Sequence, residues 1–293
     1  MELGLVVKLE ELGIEASLQK VHDLGLPTCQ ISTYQPDVFA RSDSVDQINS
    51  LCEKFGIKIT AVWAGWPGRC VWDNQTGPST VGLVPLETRK ERCEMVKIGS
   101  DLAKQIGVNI VVTHAGFIPE NPMAPLYVGL IPDLKDIAEY CRNNGQWFCF
   151  ETGQETPITL LRTIEDIGMD NVGVNFDPAN LILYGKSSPD YALDVLGSYV
   201  KSVHMKDGCY PRTTKELGME TTIGEGEANI AKLIDKLLSL GFAGPLTIER
   251  EFTVGSTETL TTELKEKAEE QFVEVKKEIA YLNQILDSRQ NRE

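Results

Sequence analysis

A chain of 293 residues carries 28 Lys and Arg against 43 Asp and Glu, a formal net charge of −15, with only 3 histidines and 42% hydrophobic residues. This is ordinary globular composition, and the length admits two average domains or one α/β barrel of about 250 residues. Strong acidity argues against nucleic acid or an anionic membrane as partner, since phosphates would be repelled. Three histidines exclude a histidine-rich zinc cluster, so any metal must lean on carboxylates.

The chain opens MELGLVVKL, without a basic n-region, and no run approaches the ~18 apolar residues of a membrane span. Cysteines 29, 52, 70, 93, 141, 149 and 209 are odd in number and never spaced C-x-x-C. A disulfide framework is not expected, and a cytoplasmic location is.

In chain order, a short apolar run, a turn and a longer amphipathic stretch keep recurring. The runs Leu3–Val7, Cys29–Ser32, Ile57–Trp63, Val108–Thr113, Trp147–Phe150, Val172–Phe176, Val200–Val203 and Leu246–Ile248 have the continuous apolarity of parallel strands buried on both faces. Helices are predicted over 15–24, 44–55, 87–106, 133–144, 157–168, 189–198, 228–240 and 257–286. Several close on a glycine, as in Phe55-Gly56 and Ile167-Gly168. Eight strands alternating with eight helices predict a single (β/α)₈ TIM barrel spanning 1–293, its barrel about 1–256 and its C-terminal helix about 257–286. A doubly wound open sheet is the runner-up, against which no G-x-G-x-x-G follows the first strand.

The strand-to-helix segments Ala64–Leu86, Ala115–Pro132 and Gly208–Gly226 are long, and in a barrel they lie on the carboxyl-end face where active sites are built. Leu264, Phe272, Val275, Ile279, Leu282 and Ile285 recur at helical spacing in a charged tail. That helix packs on its own barrel or offers a contact to a second copy or partner subunit.

Each later strand is followed by a chemistry-bearing residue: His114, Glu151, Asp177, His204 and Glu249, which include two of the 3 histidines. Strand ends in a barrel are rigid mounts converging on one pocket. Glu151, Asp177, His204 and Glu249 would bring three carboxylates and one imidazole together, where like charges repel unless a cation lies between them. Oxygen-rich ligation with one nitrogen suits a single Mn²⁺, with Mg²⁺ or Co²⁺ as alternatives. His114 is given a substrate contact.

The motifs VVTHAGF, FETG, NFDPANL, VHMKDG, IGEGE and GPLTIEREF, in this order over about residues 110–252, resemble the xylose isomerase-like barrels. That superfamily includes sugar isomerases, ketose 3-epimerases, inosose dehydratases and endonuclease IV. The resemblance implies metal ligation by Glu151, Asp177, His204 and Glu249, with Glu151 and Glu249 doubling as the proton-transfer pair. It departs from the ketose 3-epimerases in two places: Asn180 stands where they carry a histidine, and Arg212 falls two residues later than their arginine.

A metal-dependent sugar isomerase or epimerase working through an enediolate is therefore expected. The alternatives are a lyase of the same fold (an inosose-type dehydratase or a deglycosidase acting on an oxidised glycoside) and a non-catalytic sugar- or partner-binding barrel. Substrate contacts are expected from Trp66, Asn180, Lys206, Asp207 and Arg212, Lys206 and Asp207 also serving as candidate rim or His204-orienting groups. Gly224-Glu225-Gly226-Glu227 places glutamates where a phosphate would need amides, which favours a non-phosphorylated sugar or polyol. Glu251 is a rival to Glu249 for the last ligand position.

Overall fold

A computed structural model describes residues 1–250 and 262–290. Strands β1 (Leu3–Lys8), β2 (Thr28–Thr33), β3 (Lys58–Ala64), β4 (Ile110–Thr113), β5 (Trp147–Glu151), β6 (Val172–Phe176), β7 (Val200–Met205), β8 (Asp207–Cys209), β9 (Met219–Thr221) and β10 (Leu246–Ile248) alternate with helices. These are α1 (Leu9–Asp23), α2 (Pro36–Phe39), α3 (Ser42–Phe55), α4 (Gly77–Thr80), α5 (Leu86–Gln105), α6 (Pro125–Asn143), α7 (Pro157–Ile167), α8 (Pro178–Leu183), α9 (Pro189–Leu196), α10 (Ile230–Ser239) and α11 (Thr262–Gln290).

All the barrel pairings are parallel, and the sheet closes in the order β1-β10-β7-β6-β5-β4-β3-β2. This is the TIM barrel expected of strands that are apolar on both faces. Val111, Phe148, Phe150, Val174, Val203 and Ile248 are buried within it, while α3 and α10 turn their apolar stripes inward. Gly56 and Gly168 close α3 and α7 in the left-handed conformation, with φ of 67° and 66°. All seven cysteines are unpaired, and no described helix is long and apolar enough to cross a membrane.

Three local departures from the predicted elements have physical causes. Helix α6 starts at Pro125 rather than near residue 133, running through Pro132. The residue whose carbonyl Pro132 cannot serve, Val128, is on the exposed side of the helix. Helix α1 begins directly after β1 and absorbs Gly13 at φ 77°, a kink inside the helix. The long segment after β7 is an antiparallel hairpin, β8–β9, rather than an irregular loop.

The hairpin is fastened from two sides. Asp207 accepts hydrogen bonds from the backbone N–H groups of Gly208 (2.8 Å), Gly224 (3.0 Å), Gly226 (3.1 Å) and Ala228 (3.0 Å). Helix α11 grips the segment that follows: Thr222 donates to Glu274 (3.2 Å), and the Ile223 N–H donates to Glu278 (3.1 Å). Arg250 lies 3.3 Å from both Glu220 and Glu278 and donates to the Thr221 carbonyl. Val275, Leu282, Ile285 and Leu286 of α11 are buried in the barrel's own core. The predicted helix start at 257 and the rival Glu251 lie outside the described residues.

Candidate metal centre and active site

Glu151, Asp177, His204 and Glu249 each offer a ligand atom, and these atoms lie within 4.8 Å of one another. Adjacent barrel strands set this up, since β5, β6, β7 and β10 are consecutive around the ring. Residue Asp177 also caps α8, its Oδ1 accepting from the Asn180 N–H at 2.8 Å. Capping turns Oδ2 into the cluster, where it is buried and has no hydrogen-bond partner among the described residues.

His204 is oriented from behind. Its Nε2 is 3.0 Å from Gln30 Oε1, while Gln30 Nε2 donates to Ser202 (2.8 Å) and Thr247 (3.1 Å). Nδ1 is thereby the ring nitrogen that faces the acids. Burial disfavours a charged ring, but Glu249 and Glu151 outweigh it and raise the His204 pKa well above its ordinary value, so without a cation the ring holds a proton there. Nδ1 lies 3.2 Å from Glu151, 3.3 Å from Glu249 and 4.0 Å from Asp177. A lone pair facing three carboxylates is repulsive unless a cation or a proton lies between them.

Lys206 is buried beside this cluster, donating to Asn180 Oδ1 (3.0 Å) and Glu249 (3.1 Å), with Asp177 Oδ2 at 3.6 Å. One ammonium against three carboxylates leaves two negative charges, which a divalent cation matches. Charge count, donor chemistry and the orphaned Asp177 oxygen all fit such an ion.

The acids do not behave alike. Burial pushes Glu151 up, but the His114 and His204 imidazoles outweigh it and bring the carboxyl down to about 2. Trp63 and Asn180 also donate to Glu151, and His114 Nε2 lies 3.4 Å away. Burial raises Asp177 to about 8, Lys206 opposing and the neighbouring glutamates reinforcing. Without a cation, Asp177 is therefore the carboxylate that holds a proton. Glu249 is penalised by burial yet held well below the usual range by Lys206 and His204.

Glu151 and Glu249 line a cavity of about 390 Å³ together with Trp63, Trp72, His114, Gln154 and Asn180. Leu217, Gly218 and Glu220 of the hairpin segment also line it. Of the residues expected at the substrate, His114 and Asn180 reach this cavity. Lys206 stands behind it, engaged with Glu249 and Asn180. The other three do not line it. Trp66 is 1% exposed and packs behind Trp63, 5.6 Å between ring centres, with the Arg92 guanidinium 5.4 Å from its ring. Asp207 spends its carboxylate on four backbone amides, and Arg212 points outward to Glu227 at 3.0 Å. Trp63 and Trp72, not Trp66, supply indole surface. Gln30 and Gln154 were not anticipated; a lone glutamine inside the apolar run of β2 was the available signal for the first.

A family model described as xylose isomerase-like TIM barrel matches residues 18–277, and the chain belongs to that family. A xylose isomerase domain protein from Planctomyces limnophilus is 33% identical, with a TM-score of 0.82 over 98% of this chain and 95% of the other. An L-ribulose 3-epimerase shares the fold at 17% identity and a TM-score of 0.71, over 99% of this chain and 96% of the other. The uncharacterized protein MJ1311 of Methanocaldococcus jannaschii is 27% identical over 174 residues, which are 55% of this chain and 57% of that relative. The match thus spans little more than half the length of this curated relative.

Proposed function

We propose that the chain is a divalent-metal-dependent sugar isomerase or epimerase that moves a proton at the carbon next to a carbonyl. The observation that carries this reading is the meeting of three carboxylates and an imidazole at a cavity large enough for a small sugar. Mn²⁺, Mg²⁺ or Co²⁺ held by Glu151, Asp177, His204 and Glu249 would supply Lewis-acid polarisation of the substrate carbonyl.

The remaining work falls to the chain itself. Glu151, kept ionised by its donors, takes the proton next to the carbonyl. Glu249 stands three strands further round the ring and also faces the cavity, so it can return a proton from another direction. Return to the opposite face of the enediolate inverts the carbon; return to its neighbour isomerises the sugar. Trp63 and Trp72 cover apolar sugar surface and exclude water.

A second reading, elimination, is favoured by His114. Its imidazole lines the cavity beside Glu151 and could protonate a departing hydroxyl or aglycone.

Ketoses and keto-inositols incubated with metal-loaded protein in deuterated water test both readings. Metal-dependent exchange at the carbon next to the carbonyl, with a new sugar formed, is expected. Release of water or an aglycone would make the enzyme a lyase. No exchange and no product across the panel overturns the catalytic reading in favour of a binding barrel.

A further inference from the structure

Three residues beyond Glu151, Gln154 lines the same cavity, is 2% exposed, and has no hydrogen-bond partner for either its Nε2 or its Oε1 among the described residues. A buried amide with both ends unmade is costly to the fold, so its retention calls for a ligand. Two polar neighbours on the wall are already engaged: Asn180 spends Nδ2 on Glu151 and Oδ1 on Lys206, and Glu151 is ringed by donors. Gln154 thus offers the cavity one acceptor and one N–H₂ donor, uncharged. That pattern complements a hydroxyl or a pair of neighbouring hydroxyls, each able to give and take a hydrogen bond. It is a poor partner for a phosphate, which only accepts.

The backbone fixes where this amide stands. At Gly153 a Cβ would lie 3.3 Å from His114 Cε1 and 3.4 Å from Asn180 Cβ, so the chain passes tightly between those two cavity residues before Gln154. His114 Nδ1, like the Gln154 amide, is buried without a partner among the described residues.

Building on the sugar-converting function proposed above, we propose that Gln154 selects the substrate by bonding hydroxyls of a non-phosphorylated sugar away from its reacting carbon. It is a specificity residue, with no part in proton transfer.

The test compares wild type with Gln154→Leu on an active ketose and on its deoxy analogues, each lacking one hydroxyl. Gln154→Leu should lower kcat/KM about tenfold on the parent sugar, chiefly through KM. Wild type should discriminate about tenfold against one deoxy analogue, and the variant should lose that discrimination. The thermal midpoint of the variant should equal or exceed that of wild type, because an unpaired buried amide is gone. Unchanged discrimination at every deoxy position, or a lowered midpoint with kcat and KM altered alike for all sugars, overturns the assignment. If wild type itself turns over no sugar in the panel, it is the underlying function that fails, and direct calorimetric titration of a polyol into both proteins then decides whether Gln154 binds hydroxyls.

Discussion

Gln30 orients His204: its Oε1 lies 3.0 Å from the imidazole Nε2, while its amide nitrogen reaches the Ser202 and Thr247 hydroxyls. The ring nitrogen facing the acids is so placed that a cation displacing its proton would be ligated there. Gln30→Leu should weaken divalent-metal affinity by about 10- to 100-fold while leaving the four ligands intact. Titration calorimetry with Mn²⁺ reads this, and an unchanged affinity would remove Gln30 from the site.

Metal loading should raise stability, since the ion binds only where the four groups have been assembled. At a concentration about 100 times Kd the gain is about 2.7 kcal/mol, or a thermal shift of roughly 4–5 °C for a chain of this length. Asp177→Ala should abolish the shift and leave less than one ion per chain by elemental analysis.

Glu151→Gln and Glu249→Gln should each lower turnover by about 10²–10⁴-fold. If the two acids serve opposite faces, each variant still exchanges deuterium into one epimer and not the other. Equal loss of exchange from both epimers in one variant, with full retention in its counterpart, would assign all proton transfer to one acid.

Asp207 carries a separate expectation. Alanine there strands four backbone donors that now meet one carboxylate, costing roughly 3 kcal/mol. Because the hairpin segment also walls the cavity, KM should rise with the loss of stability. Denaturant midpoints and steady-state kinetics on the same protein measure the pair.

Glu278 makes the fold sensitive to pH. Burial pushes its carboxyl up to about 7 against the pull of Arg250, from an ordinary value of 4.5. A raised acid favours the folded state fully below about pH 4.5 and loses that advantage as pH climbs through about 7, here by about 3 kcal/mol. Burial raises Glu155 to about 7 as well and adds to the same slope. Glu278→Gln should flatten part of the decline between pH 5 and 8 in urea unfolding; an unaltered slope would place the titration elsewhere.

The barrel and the four converging groups were legible because strand ends are local features: an apolar run and the residue that follows it. Glu249 meets the cluster as read, its N–H pairing with the Met205 carbonyl across β7 and β10. What escaped depends on distant contacts. Asp207 resembles any rim acid until the chain folds Gly224, Gly226 and Ala228 back onto it. Trp66 was expected at the sugar, and only packing against Trp63 and Arg92 takes it out of reach, leaving Trp72 further along the same loop at the cavity. The early start of α6 was hidden by Pro132, a breaker in sequence terms that the helix tolerates.

Helix α11 follows every strand in chain order, yet Glu274 and Glu278 fasten the segment next to the hairpin that walls the cavity. On the ribosome, all eight barrel strands therefore emerge before the fastening does. A nascent chain can thus bring all its barrel strands and the Asp207 contacts of the hairpin together before α11 adds the Glu274 and Glu278 ties beside the cavity.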